Sequence, residues 1–190
     1  MPRTLILVEG ESDAGAIQAL AELAGCDLER DHIEVRSAEG VTNFPKVLAD
    51  FARANPGAKF CGMYDVADEW HVRRALNSAG VAVGPDDPLE PFGFFACVAD
   101  LEEELIRALG TDGVERVIDE QGELASFRRF QAMPQYRDAP GPQQLHRFLG
   151  TRATRKIRSA RRLVEALGLA RLPRPLKLLA FHCLGPGGPS

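Results

Sequence analysis

Residues 4–13, Thr4-Leu5-Ile6-Leu7-Val8-Glu9-Gly10-Glu11-Ser12-Asp13, carry four consecutive aliphatic side chains straight into a carboxylate. Two later stretches repeat the pattern. Phe60-Cys61-Gly62-Met63-Tyr64 runs into Asp65, with Asp68 and Glu69 just beyond, and Phe94-Phe95-Ala96-Cys97-Val98-Ala99 runs into Asp100, with Glu102 beyond. Short apolar runs of this kind suit strands buried on both faces of a parallel sheet. As neighbours, the three would gather their carboxylates at one edge, where open α/β sheets place their sites. Such a cluster repels itself unless cations hold it together, so it reads as a divalent-metal site.

Around these runs, the first 110 residues alternate strand and helix signals. Strands are expected at 4–8, 32–36, 60–64 and 92–99. Helices are expected at 13–24, from an Asn43 cap to the Asn55-Pro56-Gly57 stop, at 68–79 and at 101–109. This order predicts an α/β fold, a parallel sheet with right-handed crossovers. From residue 111 the strand signal disappears, and helices are expected at 112–121, 123–132, 142–149, 152–168 and 175–183. The division is therefore a metal-binding domain over 1–110, a basic all-helical extension over 111–184 and a flexible tail over 185–190. Charge follows it. The chain is −4 overall, but residues 1–110 hold 9 basic and 20 acidic side chains, a net −11, while residues 111–190 hold 14 and 7, a net +7. An acidic half joined to a basic half suggests a metal-binding part and a polyanion-binding part.

Asp13 lies within the first helical turn after Glu9 and can lean back toward the same place. Asp100 and Glu102 form a second strand-end pair. Hard oxygen ligands beside helix N-termini, which welcome phosphate, suit Mg²⁺ or Mn²⁺. The competing reading for any single acid is helix capping. Glu11, Glu103 and Glu104 read as solvated. Gly10 lets a backbone or a phosphate come close.

The stretch from Thr151 to Leu167 holds Arg152, Arg155, Lys156, Arg158, Arg161 and Arg162, with no acid before Glu165. Ile157, Ala160, Val164 and Leu167 recur at helical spacing as a buried stripe. The arginines, with Arg155, Arg158 and Arg162 on the opposite face, can track a phosphate backbone without reading sequence. The competing reading is a solvated helix that offsets the acidic half through salt bridges. Lys156 flanks the stripe, where a half-buried ammonium can be aimed at a phosphate.

Val8-Glu9-Gly10-Glu11-Ser12-Asp13 followed by Asp65-Val66-Ala67-Asp68 resembles the Toprim domain of topoisomerases, primases and OLD (overcoming lysogenisation defect) nucleases. Asp100-Leu101-Glu102, the segment Gly40-Val41-Thr42-Asn43-Phe44 and the later helices are closer to the OLD family. The resemblance implies a Rossmann-like sheet and metal-dependent cleavage of DNA, with RNA left open by the residues themselves. It makes Glu9 and Asp13 the first acidic motif, Asp65 the start of the second, and Asp100 with Glu102 the third. It also implies a catalytic lysine, for which Lys156 is the candidate. The usual second motif is Asp-x-Asp, and here Ala67 stands in place of its second Asp, with Asp68 displaced by one. That departure motivates the alternative, an impaired Toprim module that binds nucleic acid or an ATPase partner.

No G-x-x-x-x-G-K-[ST] loop is present, so ATP hydrolysis is expected to come from a separate partner, if from anywhere. A receiver-like phosphoacceptor would need a lysine after a late strand, and none is found. Apolar stretches are too short for a membrane span or a secretory signal, so a cytoplasmic protein is expected. Cys26, Cys61, Cys97 and Cys183 lack paired spacing and read as small buried thiols. The four histidines form no helix-spaced pair and read as surface or packing residues. Trp70 reads as a packing anchor, with stacking on a base as the alternative.

Overall fold

The computed structural model describes residues 3–184; the expected tail at 185–190 lies outside them. Four parallel strands, β1 (Thr4–Val8), β2 (Ile33–Ser37), β3 (Lys59–Asp65) and β4 (Phe94–Cys97), form one sheet in the order β2-β1-β3-β4. β1 and β3 lie at its centre. Alternate residues of a strand point to opposite faces. Leu5 and Leu7 thus join one core with Tyr64 and Phe94. Ile6 and Val8 join the other with Cys61, Met63, Phe95 and Cys97.

The first core is covered by α2 (Phe44–Ala54) and α3 (Glu69–Ser78). The second is covered by α1 (Glu11–Ala24), α4 (Leu101–Leu109), α5 (Thr111–Glu120), α6 (Leu124–Gln131), α7 (Gly141–Leu149), α8 (Ala153–Leu167) and α9 (Arg174–Leu179). α8 runs along α1. Gly15 faces Arg161 and Ile157 of α8 across this contact. This α/β architecture, a parallel sheet flanked by helices with further helices C-terminal to it, is the expected one.

Several local expectations are corrected. β4 ends at Cys97 rather than Ala99, and Val98 is 69% exposed. Glu104, expected to be solvated, is buried; its carboxylate accepts from the Val98 amide at 3.2 Å and pins the loop after β4. Asn43 does not cap α2 with its side chain but donates back to the Ala38 carbonyl at 2.9 Å. Cys61 and Cys183 are paired as a disulfide, leaving Cys26 and Cys97 free. Trp70 is 55% exposed and stacks only on His71 among ring contacts of the described residues. Among the described residues no helix is long and apolar enough to cross a membrane.

Candidate metal centre at the sheet edge

Parallel register places the strand ends side by side. Asp65 pairs with Cys97 across β3 and β4, and Leu7 pairs with Gly62 across β1 and β3. Glu9 and Asp65 therefore leave adjacent strands at the same edge. Immediately after Asp65, the chain takes a 3₁₀ turn over Val66–Asp68. Side chains three residues apart nearly eclipse in a 3₁₀ turn, which returns Asp68 to the side of Asp65. Glu9, Asp65 and Asp68 each offer one carboxylate oxygen, and these lie within 4.8 Å of one another.

Helix capping accounts for some acids here and not others. Asp13 accepts from the Gly10 amide at 3.1 Å, and Asp100 Oδ1 accepts from the Glu103 amide at 2.7 Å. Asp65 and Asp68 make no capping hydrogen bond. All six predicted carboxylates converge on this edge. A cavity of about 190 Å³ is lined by Glu9, Asp13, Asp65, Asp100, Glu102 and Lys156, with Asp68 joined to it through the three-carboxylate group.

The electrostatics show a cluster whose negative charge exceeds the positive charge beside it. Burial, then the charges of Glu9, Asp100, Asp13 and Asp68, push Asp65 up to about 7. Burial raises Asp13 to about 6 against its Gly10 hydrogen bond and Lys156. Burial also raises Glu102 to about 7, opposed by His146 and Lys156. Glu102 is only 9% exposed, and its Oε1 has no hydrogen-bond partner. An orphaned buried carboxylate oxygen is costly, and a divalent cation would satisfy it. The Cys97 thiol in the same wall is held protonated by burial, so the available donors are hard oxygens. The donor set fits Mg²⁺-like ions.

Asp13, Asp65 and Glu102 bind their protons more tightly in the folded chain than in the unfolded one. Their contribution to stability is complete below the unfolded values near 4 and is lost as pH rises through 6–7. Without metal, the melting temperature is therefore expected to fall between pH 5 and pH 8. Saturating Mg²⁺ or Mn²⁺, which favours ionised ligands, should raise it more at pH 8 than at pH 5. Thermal scans at three pH values, with EDTA or with metal, check this; equal metal shifts at both ends would contradict it.

The family model described as "Overcoming lysogenization defect protein-like, TOPRIM domain" matches residues 2–65, the part that carries Glu9, Asp13 and Asp65. Over that segment the chain resembles the OLD-like Toprim domain. The C-terminal region of the Burkholderia pseudomallei OLD protein is similar in fold, with 21% identity, a TM-score of 0.65, and coverage of 94% of this chain and 95% of that one. The C-terminal region of the Xanthomonas campestris pv. campestris OLD protein is similar at 22% identity and TM-score 0.68, covering 96% and 92%. No curated protein sequence matches the chain. An OLD-like Toprim domain suggests a nucleic-acid-related, metal-dependent function.

Beyond the Toprim acids, the structure sorts the basic helix. Lys156 reaches the Toprim edge, with its Nζ 3.9 Å from Glu102 Oε2. Arg155 does not project outward as expected. It is 8% exposed, its guanidinium lies 4.2 Å from the Phe148 ring centroid, and it pairs with Glu123. The buried stripe is Arg155, Ser159, Ala160, Leu163, Val164 and Leu167, rotated from the expected one because Phe148 and Glu123 supply Arg155 with an inward seat. Arg158 also pairs with Glu123, Arg161 with Glu22 at 2.9 Å and Arg162 with Glu165 at 2.8 Å. Arg152 is exposed and makes no ion pair among the described residues. Much of the arginine charge is thus already matched by glutamates, as the salt-bridge reading anticipates, although exposed pairs of this kind are weak and exchangeable.

One residue of the Toprim edge has no local signal in the sequence. His146, on α7, places Nε2 2.7 Å from Asp100 Oδ2. Tyr64 also lines the cavity, but burial and then Glu69 push its phenol up to about 12, which suits a wall rather than a nucleophile.

Proposed function

We propose that this chain is a Mg²⁺- or Mn²⁺-dependent phosphodiester hydrolase that nicks or cuts DNA. The observation that carries the reading is the placement of Lys156 against the carboxylate edge, a cation and an acidic ligand set in one cavity. In this reading residues 1–110 supply the ligands, and residues 111–184 supply Lys156 and the arginines. Glu9, Asp65 and Asp68 would hold a cation, with Asp13, Asp100 and Glu102 as further ligands along the same edge. A bound divalent cation would supply positive charge to the phosphate oxygens and acidify a water. Lys156 adds a further positive charge where the scissile phosphate develops negative charge. Arg152, which is exposed, and Arg158, Arg161 and Arg162, which exchange their glutamate partners for phosphates, hold the strand, and Arg155 braces α8 from inside. These 190 residues contain no P-loop, so no ATP hydrolysis is assigned to them.

The alternative, a non-catalytic binding module, rests on Ala67. The 3₁₀ turn weakens it by bringing Asp68 to Glu9 and Asp65. Nicking of supercoiled plasmid, with and without Mn²⁺, separates the two. Wild type is expected to nick only with metal, Glu9→Ala to lose the activity, and Lys156→Ala to fall about tenfold or more. Salt-sensitive DNA retention with no cleavage under either metal would favour the binding module.

A further inference from the structure

We propose that His146 is a positioning residue for the metal centre, holding the Asp100 carboxylate in place for a divalent cation. The inference rests on the metal-site reading above and extends it to a helix outside the matched segment. Asp100 needs an anchor. β4 stops at Cys97, two irregular residues follow, and Val98 is largely exposed. The carboxylate is fixed at both oxygens, Oδ1 by the Glu103 amide and Oδ2 by His146 Nε2, each at 2.7 Å. A carboxylate has about four lone-pair sites, so two remain free after these bonds.

The two holders come from different elements. Glu103 belongs to α4, the helix that Asp100 itself starts, and would move with it. His146 belongs to α7, whose Leu145, Phe148 and Leu149 are buried in the main core. The hydrogen bond therefore ties the loop after β4 to a separately anchored body. It spans 46 residues of sequence, and both side chains are about two-thirds covered. Partners that hydrogen-bond a ligating carboxylate typically change metal affinity by about 10–100-fold when removed. A mere surface ion pair would leave it unchanged.

The test is calorimetric titration of the whole chain with Mn²⁺ for wild type, His146→Ala and His146→Gln, with thermal unfolding of each in EDTA. His146→Ala should weaken Mn²⁺ by about 10–100-fold, while His146→Gln, which keeps an N–H donor, restores most of the affinity. The metal-free melting temperatures of the two variants should agree. Wild-type affinity in His146→Ala, or equal loss in both variants, overturns the proposal and leaves the metal-site reading standing. A wild-type chain that takes up no Mn²⁺ overturns both.

Discussion

Asp65→Asn is expected to abolish metal-dependent nicking, by more than about 100-fold, and at the same time to stabilise the metal-free protein. The loss follows from position. Asp65 shares the three-carboxylate group with Glu9 and Asp68, and it makes no capping bond that would give it a purely structural role. Removing a direct ligand should exceed the roughly 10–100-fold effect of losing a supporting one. The gain follows from charge. Asp65 is pushed up to about 7 by burial and by Glu9, Asp100, Asp13 and Asp68, so at pH 8 its ionised form opposes folding. A neutral isostere removes that opposition. The melting temperature in EDTA at pH 8 should rise by about 2 °C, a modest figure because Asp65 keeps contact with solvent. The rise should shrink at pH 5, where Asp65 is already largely protonated, and the stabilisation by Mn²⁺ should be lost at both. Nicking assays and thermal scans on one preparation check all of this. Unchanged nicking, or a lower metal-free melting temperature at pH 8, would contradict the placement of Asp65 in a charge-strained ligand set.

Gly62→Ala is expected to be the most destabilising single methyl in the sheet. Gly62 is central in β3, paired with Leu7 of β1 on one side and Phe94 of β4 on the other. A Cβ there would overlap the Leu7 carbonyl oxygen and lie 3.0 Å from Phe94 Cε1. Neither neighbour can withdraw easily, since one is ladder backbone and the other a fully buried ring. Overpacking of this kind costs about 1–3 kcal/mol, and a backbone clash belongs at the upper end. In a chain of this size, about 3 kcal/mol lowers the melting temperature by roughly 6–12 °C. Urea unfolding of the variant measures it. A midpoint equal to wild type would mean that β1 and β3 do not meet in this register. Because Asp65 is three residues further along β3, the same displacement should also weaken metal binding.

Local pattern carried much of this protein. The four-aliphatic run before Glu9 and the run before Asp65 are strands because no other element buries so many consecutive apolar side chains on two faces. The run before Asp100 reads as two residues too long at its end, because Val98 and Ala99 look apolar in sequence while the buried Glu104 holds them in a loop. An acid that closes a loop and an acid that meets water look the same from composition. Arg155 misleads for a related reason. Its inward turn depends on Phe148 and Glu123 from other helices, and no spacing within α8 reports them.

The sequence alone determined the α/β class, the acids at the strand ends, and the shift from an acidic to a basic half, because periodicity, turn residues and charge are local properties. Tertiary structure decided which of those residues meet. The displaced Asp68 joins Glu9 and Asp65 only through a 3₁₀ turn at a strand end. Lys156 and His146 reach Glu102 and Asp100 only because α7 and α8 pack over the face that carries α1 and α4. Apolar stripes make that packing favourable without naming their partners. The contacts between residues 46 and 54 positions apart arise from the way the helices fill one shared core.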